Sequence, residues 1–296
     1  MRMQRIEAGV LDVAYLAYGP VDGWPCVLGH GYPYDVHAYA ETAPLLVEAG
    51  ARVIVPWLRG HGPTRFLSAE TPRSGEQAAL GADTLALMDA LDIGQAVLGG
   101  YDWGGRACCI IAALWPERVQ ALVSGTSYNI QAIARANDPV TPSVAAADWY
   151  QYFFHSEAGR QTLLHNRAGV ARQIWGMWSP DWHPDDAEFA RSAESFDNPD
   201  YVDVVIHSYR HRYGLVPGDP AVAEIEARLA AQPPITVPTV AIDGAVDRVG
   251  TRTAHHRAKF TGPYDYRLWH GAGHNLPQER PRMWAQAVLD ARAMAG

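Results

Sequence analysis

The chain has 296 residues, with 24 Lys and Arg against 32 Asp and Glu, a formal net charge of −8. That balance, with no basic cluster, repels polyanions and argues against a nucleic-acid partner. With 48% hydrophobic and 19% charged residues it is expected to fold as one large or two ordinary globular domains.

At the start, Arg5, Glu7 and Asp12 break the apolar residues, so no signal-peptide core is expected, and nowhere do 18 uncharged apolar residues run together. A cytoplasmic protein with no membrane association follows as an expectation. Strand patterns then read at Leu11–Tyr18, Pro25–Gly29, Arg52–Pro56, Ala96–Gly100 and Val119–Ser124. Helical periods separate them at Tyr39–Ala49, Gly75–Leu91 and Gly104–Trp115. This alternation predicts a mostly parallel sheet with helices on both faces. From about 145 to 230 the chain is helical and aromatic without a convincing strand. Strand patterns resume at Val237–Asp243 and Tyr264–Leu268, and a last helix fits Pro281–Met294. The expected organisation is a core of residues 1–130 and 233–296 with a helical insertion, 131–232, after the sixth strand.

The stretch Gly99-Gly100-Tyr101-Asp102-Trp103-Gly104-Gly105 ends one strand and opens one helix. Small residues flanking Asp102 suit a sharp strand–turn–helix that lifts the central side chain over the sheet edge. Alone, it reads equally well as an Asp N-cap on a Gly-rich turn. Two later stretches favour the chemical reading: Gly244-Ala245-Val246-Asp247 at one strand end and Gly271-Ala272-Gly273-His274 before the last helix. The order nucleophile, acid, histidine at successive strand ends is that of α/β-hydrolases. Asp102 is the candidate nucleophile, Asp247 the orienting acid and His274 the base, with Asp243 as a rival acid. His30-Gly31-Tyr32-Pro33 follows an early strand, and the backbone N–H groups of Tyr32 and Trp103 are the candidate oxyanion donors. His30 is expected to order that loop.

Together HGYP, GYDWGGR, GAVD and GAGH resemble the α/β-hydrolase-fold epoxide hydrolases over about residues 6 to 294; Trp115-Pro116-Glu117-Arg118-Val119 looks like that family's helix-to-strand step. An Asp nucleophile within the fold implies either epoxide hydrolysis or dehalogenation. Fluoroacetate dehalogenases typically carry Arg after the nucleophile, where Trp103 stands here. Haloalkane dehalogenases typically carry a halide-binding Asn where Tyr32 stands. Epoxide hydrolases hold the epoxide oxygen with two cap tyrosines. Trp149-Tyr150-Gln151-Tyr152-Phe153-Phe154 resembles the first of those motifs and Ser208-Tyr209-Arg210-His211-Arg212-Tyr213 the second. The resemblance thus implies Tyr150 and Tyr209 as proton donors, with Tyr152 and Tyr213 as alternatives. It also implies His30, Pro33, Trp149 and Tyr152 as borders of the substrate space, an aromatic cap including Trp175, Trp178 and Trp182, and a small apolar epoxide as substrate. No cofactor or metal is implied. Tyr34-Asp35-Val36-His37 departs from the family, which often has a Trp there, so the pocket wall differs.

Other features read as structural. His207 and His211 have metal-ligand spacing but lie about 200° around a helix from Tyr209. His255-His256 reads as solvated surface, and Cys108 and Cys109 as core; with Cys26 these are the only cysteines, which gives no disulfide framework. Arg59-Gly60-His61-Gly62 is expected to be architectural. No G-x-S-x-G, Walker A, H-E-x-x-H or dinucleotide fingerprint occurs. The rivals are a haloalkane dehalogenase and a ligand receptor that kept the fold without turnover; monomer or homodimer stays open.

Overall fold

The computed structural model describes residues 2–248 and 253–296. Nine strands form one sheet: β1 (Arg2–Ala8), β2 (Leu11–Tyr18), β3 (Trp24–Gly29), β4 (Ala51–Pro56), β5 (Arg65–Phe66), β6 (Ala96–Tyr101), β7 (Val119–Gly125), β8 (Thr239–Gly244) and β9 (Tyr264–Trp269). Their order is β1-β2-β4-β3-β6-β7-β8-β9, with the two-residue β5 beside β2. β1, β2 and β4 pair antiparallel and everything from β4 to β9 pairs parallel. Helices α1 (Thr42–Glu48), α2 (Gln77–Ala90) and α3 (Asp102–Leu114) connect the early strands, and α11 (Leu276–Glu279) and α12 (Pro281–Ala293) follow β9. Between β7 and β8 the described residues form helices only: α4 (Pro142–Ala147), α5 (Trp149–His155), α6 (Glu157–His165), α7 (Arg167–Trp178), α8 (Asp186–Ala193), α9 (Tyr201–His211) and α10 (Ala223–Ala230). That segment enters after the sixth of the long strands, as expected, β5 being too short to show a pattern.

β6 lies centrally, flanked by parallel neighbours on both sides, and all six of its residues are buried. A strand covered on both faces needs a continuous apolar run, and Ala96–Gly100 is one. β1 shows no apolar alternation because Arg2, Met3, Arg5 and Glu7 are all exposed on this edge strand; the Arg5–Asp12 ion pair at 2.6 Å ties it across to β2. Cys26, Cys108 and Cys109 are buried and free, as expected. No helix of the described residues is long and apolar enough to cross a membrane.

Two clamps hold the helical segment on the sheet. Asp35, fully buried, accepts from the Ser192 hydroxyl at 2.8 Å, the Ser195 hydroxyl at 2.7 Å and His37 Nδ1 at 2.7 Å. Beside it Trp175 Nε1 donates to the Pro33 carbonyl at 2.7 Å, with the Tyr34 and Trp175 rings stacked 4.9 Å apart.

Candidate active site

The turn from β6 into α3 is built by contact between backbones. A Cβ at Gly104 would stand 2.1 Å from the Gly29 carbonyl, and one at Gly100 would stand 2.6 Å from Gly104. Only hydrogen fits there, so α3 starts against the end of β3, where Gly104 N–H donates to the His30 carbonyl at 2.9 Å. Asp102 takes the bend with φ at +50°, in the left-handed region that costs a non-glycine residue on the order of 1–3 kcal/mol. That strain projects its carboxylate at the helix N-terminus, where helix dipole and free N–H groups favour negative charge.

Tyr32 N–H donates to Asp102 Oδ1 at 2.9 Å, and His274 Nε2 lies 3.6 Å from Oδ2, an ion-pair rather than a hydrogen-bond distance. On the far side of the ring, His274 Nδ1 meets Asp247 Oδ2 at 2.9 Å. The three residues therefore form one line from β6, β8 and the loop after β9. The rival Asp243 is occupied elsewhere: Thr253 N–H, the Thr253 hydroxyl at 2.9 Å and the Tyr266 hydroxyl at 2.9 Å all point at it.

Burial alone would raise the Asp102 carboxyl. His274 beside it, the Arg106 guanidinium and the Tyr32 N–H outweigh that cost and pull its pKa down to about 2. Burial likewise opposes charge on His274, but Asp247 and Asp102 flank the ring and draw its pKa up instead. Asp102 is thus held as a carboxylate against a His274 ring whose protonated form the neighbouring acids favour.

Tyr150 and Tyr209 are 2% and 1% exposed, with ring centroids 5.3 Å apart edge to face. Tyr209 packs on the ring of Tyr32 at 5.5 Å, and Tyr150 on Trp178 at 5.1 Å, which in turn packs on His274 at 4.7 Å. Burial pushes both hydroxyls above the ordinary tyrosine range, so they stay protonated. The alternatives lie elsewhere. Tyr152, 38% exposed, and Tyr213 pack on one another at 5.6 Å and on His155. Two positions along α5 turn Tyr152 by about 200°, so it does not border this space, and its assignment to the substrate wall is corrected. His30 is corrected in the same sense. Its Nδ1 lies 2.9 Å from the Gly31 carbonyl and its Nε2 accepts from Leu58 N–H at 3.1 Å, so both nitrogens serve the loop. Burial keeps the ring neutral. Pro33 and Trp149 are second neighbours, bonded to Trp175 and, through Trp149 Nε1 at 3.4 Å, to Met177 Sδ. Trp175 and Trp178 are buried, with Trp182 packed 5.2 Å from Trp175.

His207 and His211 face away as predicted, with stacked rings 5.6 Å apart and His211 Nε2 3.4 Å from Glu76 Oε2. Among the described residues no group of three metal-ligating side chains occurs. The buried His61 ring packs on His30, Trp103 and Tyr201, and its Nδ1 lies 3.1 Å from the Arg59 carbonyl.

Three residues near the site were not singled out from the sequence. Ser179 donates to Glu279 Oε1 at 2.6 Å and accepts from His274 N–H at 3.0 Å, and Glu279 Oε2 accepts from Gly273 N–H at 2.7 Å. Arg106 lies one helical turn after Asp102, a spacing the sequence displays openly.

A family model described as the alpha/beta hydrolase fold matches residues 25–209, well over half of the chain. The chain belongs to the α/β-hydrolase-fold family. This α/β hydrolase superposes on a crystal structure of a "putative epoxide hydrolase" from Klebsiella pneumoniae with a TM-score of 0.97 and 47% identity, covering 99% of this chain and 97% of that one. It is 27% identical over 292 residues to Epoxide hydrolase A of Mycobacterium tuberculosis, covering 89% of this chain and 88% of that protein. The haloalkane dehalogenase of Psychrobacter cryohalolentis is 31% identical over 121 residues, which cover 41% of this chain and 39% of that enzyme. The resemblance to epoxide hydrolases therefore extends along the whole α/β hydrolase, whereas the one to this dehalogenase is confined to a part.

Proposed function

We propose that this α/β hydrolase converts epoxides to vicinal diols through an ester on Asp102, with residues 131–232 acting as a cap over the core. The observation that carries the reading is the pair of buried phenols, Tyr150 and Tyr209, at the site of a carboxylate held ionised by Tyr32 N–H and His274. A Ser nucleophile would give a stable ether on attack at carbon, whereas a carboxylate gives an ester that water can cleave.

In the first step Asp102 Oδ2 attacks a ring carbon in line, the carbon–oxygen ring bond breaks, and its electron pair goes to the ring oxygen. Tyr150 or Tyr209 donates the proton that this oxygen needs. Oδ1 stays as the ester carbonyl against the Tyr32 N–H, joined by Trp103 N–H as second oxyanion donor. Esterification removes one of the two carboxylates that raise the His274 pKa, so the ring falls back toward its ordinary range, and the proton it releases passes to the phenolate left by the donating tyrosine, which leaves the ring a base. It then takes a proton from water as the water adds to the ester carbonyl, and returns a proton to the departing diol. Asp247 orients the ring throughout. The first chemical step thereby arms the second.

A second reading has an observation of its own. The indole N–H groups of Trp103 and Trp178 are buried and without a partner among the described residues, and two such donors suit a leaving halide. The test offers aryl and alkyl epoxides beside bromoalkanes to the wild type and to Asp102→Asn. Diol formation that vanishes promptly in the variant is expected. Bromoalkane turnover without epoxide turnover would replace the reading by a haloalkane dehalogenase. Adduct formation without product release would make the protein a ligand receptor on this fold.

A further inference from the structure

Behind the two phenols stands a side chain that the chemistry above leaves unused. Gln151, next to Tyr150 on α5, is 7% exposed and donates from Nε2 to the Tyr150 hydroxyl at 3.1 Å. The other end of its amide is held by donors: Arg212 Nη1 reaches Oε1 at 3.1 Å and the Tyr213 hydroxyl reaches it at 3.3 Å. A guanidinium cannot accept, so Oε1 must face Arg212 and the NH2 group must face Tyr150. Arg212, at the end of α9, is half-buried and has Asp148 as an acidic neighbour. The orientation of the amide therefore rests on N–H groups at hydrogen-bond distance and not on a net charge. Tyr213, the alternative proton donor by sequence, serves here as a prop for the amide.

An amide NH2 only donates, so the Tyr150 oxygen must accept and its own hydrogen is free for another acceptor. When that hydrogen leaves as a proton, a phenolate forms at a buried position. The Gln151 N–H already aimed at it then strengthens, because a bond to a charged acceptor is worth more than one to a neutral acceptor. Tyr209, whose ring lies 5.3 Å away, is held differently. Among the described residues no amide or guanidinium donates to its hydroxyl, and Arg212 lies over its ring face instead, the guanidinium carbon 4.4 Å from the centroid. A cation on the ring face acts through space and does not fix where the hydroxyl hydrogen points. The two phenols are thus inequivalent.

We propose that Gln151, held by Arg212, is a positioning residue that makes Tyr150 the proton donor in ring opening, with Tyr209 as a hydrogen-bond partner of the same ring oxygen. This rests on the epoxide reading above and names which of its two phenols transfers the proton. The hydrogen leaves Tyr150 for the ring oxygen as the carbon–oxygen bond breaks, and the O–H electron pair stays on the Tyr150 oxygen. Gln151 N–H remains bonded to that oxygen until the proton from His274 restores the phenol.

The test follows ester formation from styrene oxide by rapid mixing in a His274→Gln background, with Gln151→Met placed on wild type, Tyr150→Phe and Tyr209→Phe. Gln151→Met keeps the length of the side chain and removes its N–H groups. It is expected to slow ester formation about 10-fold with little change in the half-saturating concentration, since the bond gains strength only as charge appears. The same loss should persist in Tyr209→Phe and vanish in Tyr150→Phe, where no phenolate forms beside it. An equal loss in both tyrosine variants is the mark of a merely structural role and overturns the proposal, as does no loss at all. Should Gln151→Met fail to fold, Gln151→Glu keeps the contact with Arg212 but offers Tyr150 an acceptor in place of a donor; ester formation at the wild-type rate there overturns the proposal too. A second readout needs no epoxide: carbon-13 NMR of protein labelled at tyrosine Cζ, with Tyr150 assigned by its loss in Tyr150→Phe. Gln151→Met should move the Tyr150 resonance, and an unmoved resonance overturns the proposal whatever the enzyme hydrolyses. A moved resonance in a protein that opens no epoxide would keep Gln151 as the holder of the Tyr150 hydroxyl and sink only the epoxide reading.

Discussion

Removing the two buried hydroxyls, in Tyr150→Phe/Tyr209→Phe, tests the opening step most directly. An epoxide opens to an alkoxide, whose conjugate acid is several pK units weaker than a phenol, so the reaction needs a proton at that oxygen. A hydrogen bond to a neutral oxygen contributes about 1 kcal/mol and one to a charged oxygen about 1.5–3 kcal/mol. The difference, about 1–2 kcal/mol per phenol, is what each tyrosine gives the transition state over the bound substrate, about 10-fold or somewhat more in rate. Each single variant should lose roughly that, because the rings lie 5.3 Å apart and the remaining hydroxyl can still donate. The double variant loses proton donation altogether and should fall by about 10³–10⁴. The fold should survive. The Tyr150 hydroxyl accepts one bond, from Gln151 Nε2 at 3.1 Å, so its loss costs on the order of 1 kcal/mol. The assay is rapid mixing with an epoxide followed by intact-protein mass spectrometry, read in a His274→Gln background so that adduct formation is isolated from hydrolysis. Wild-type rates of ester formation in the double variant would refute the reasoning. Loss of bromoalkane turnover to the same degree as epoxide turnover would refute it too, since a halide needs no proton.

His274→Gln alone should build up an adduct on Asp102 whose added mass equals the whole epoxide, and absence of an adduct with a substrate the wild type consumes would point to direct attack by water. The Asp35 clamp makes stability pH-dependent through His37, whose pKa is raised by its hydrogen bond to Asp35 despite partial burial. Because the folded value is the higher one, this stabilisation is complete below about pH 6.5 and is lost as pH rises through the folded pKa. The Tm of wild type should therefore drop more between pH 6 and 9 than that of His37→Gln; parallel curves would show that the ion pair contributes nothing. Gly104→Ala should cost about 3 kcal/mol or more in a urea melt, as its Cβ would overlap the Gly29 backbone, while Gly94→Ala, where a Cβ meets nothing within 4 Å, should leave the midpoint nearly unchanged.

The site and the sheet were legible to different degrees, for physical reasons. Asp102, Asp247 and His274 could be placed because strand ends are marked locally, by glycines where backbones touch and by short apolar runs that must be buried on both faces. Tyr150 could not be separated from Tyr152, nor Tyr209 from Tyr213, by motif alone. The choice depends on which face of α5 and α9 turns inward, and both faces carry aromatic residues. The seven short helices between β7 and β8 were visible only as one helical stretch, since their boundaries are set by contacts such as Ser192 and Ser195 on Asp35 rather than by strong local stops. β1 was hidden by its exposed charges.

The Ser179 hydroxyl spans the join between the helical segment and the loop that carries His274, donating to Glu279 while receiving the histidine's own N–H. The helical segment is thereby a structural parent of the proposed base: a residue at the end of α7 holds the backbone of His274 in place. Recombination between relatives must respect that dependency. A chimera given a foreign segment without a hydroxyl at this point would acquire a new substrate shape together with a looser histidine, and its defect would lie in ester hydrolysis rather than in recognition. Restoring one serine, and nothing in the pocket, should then recover turnover.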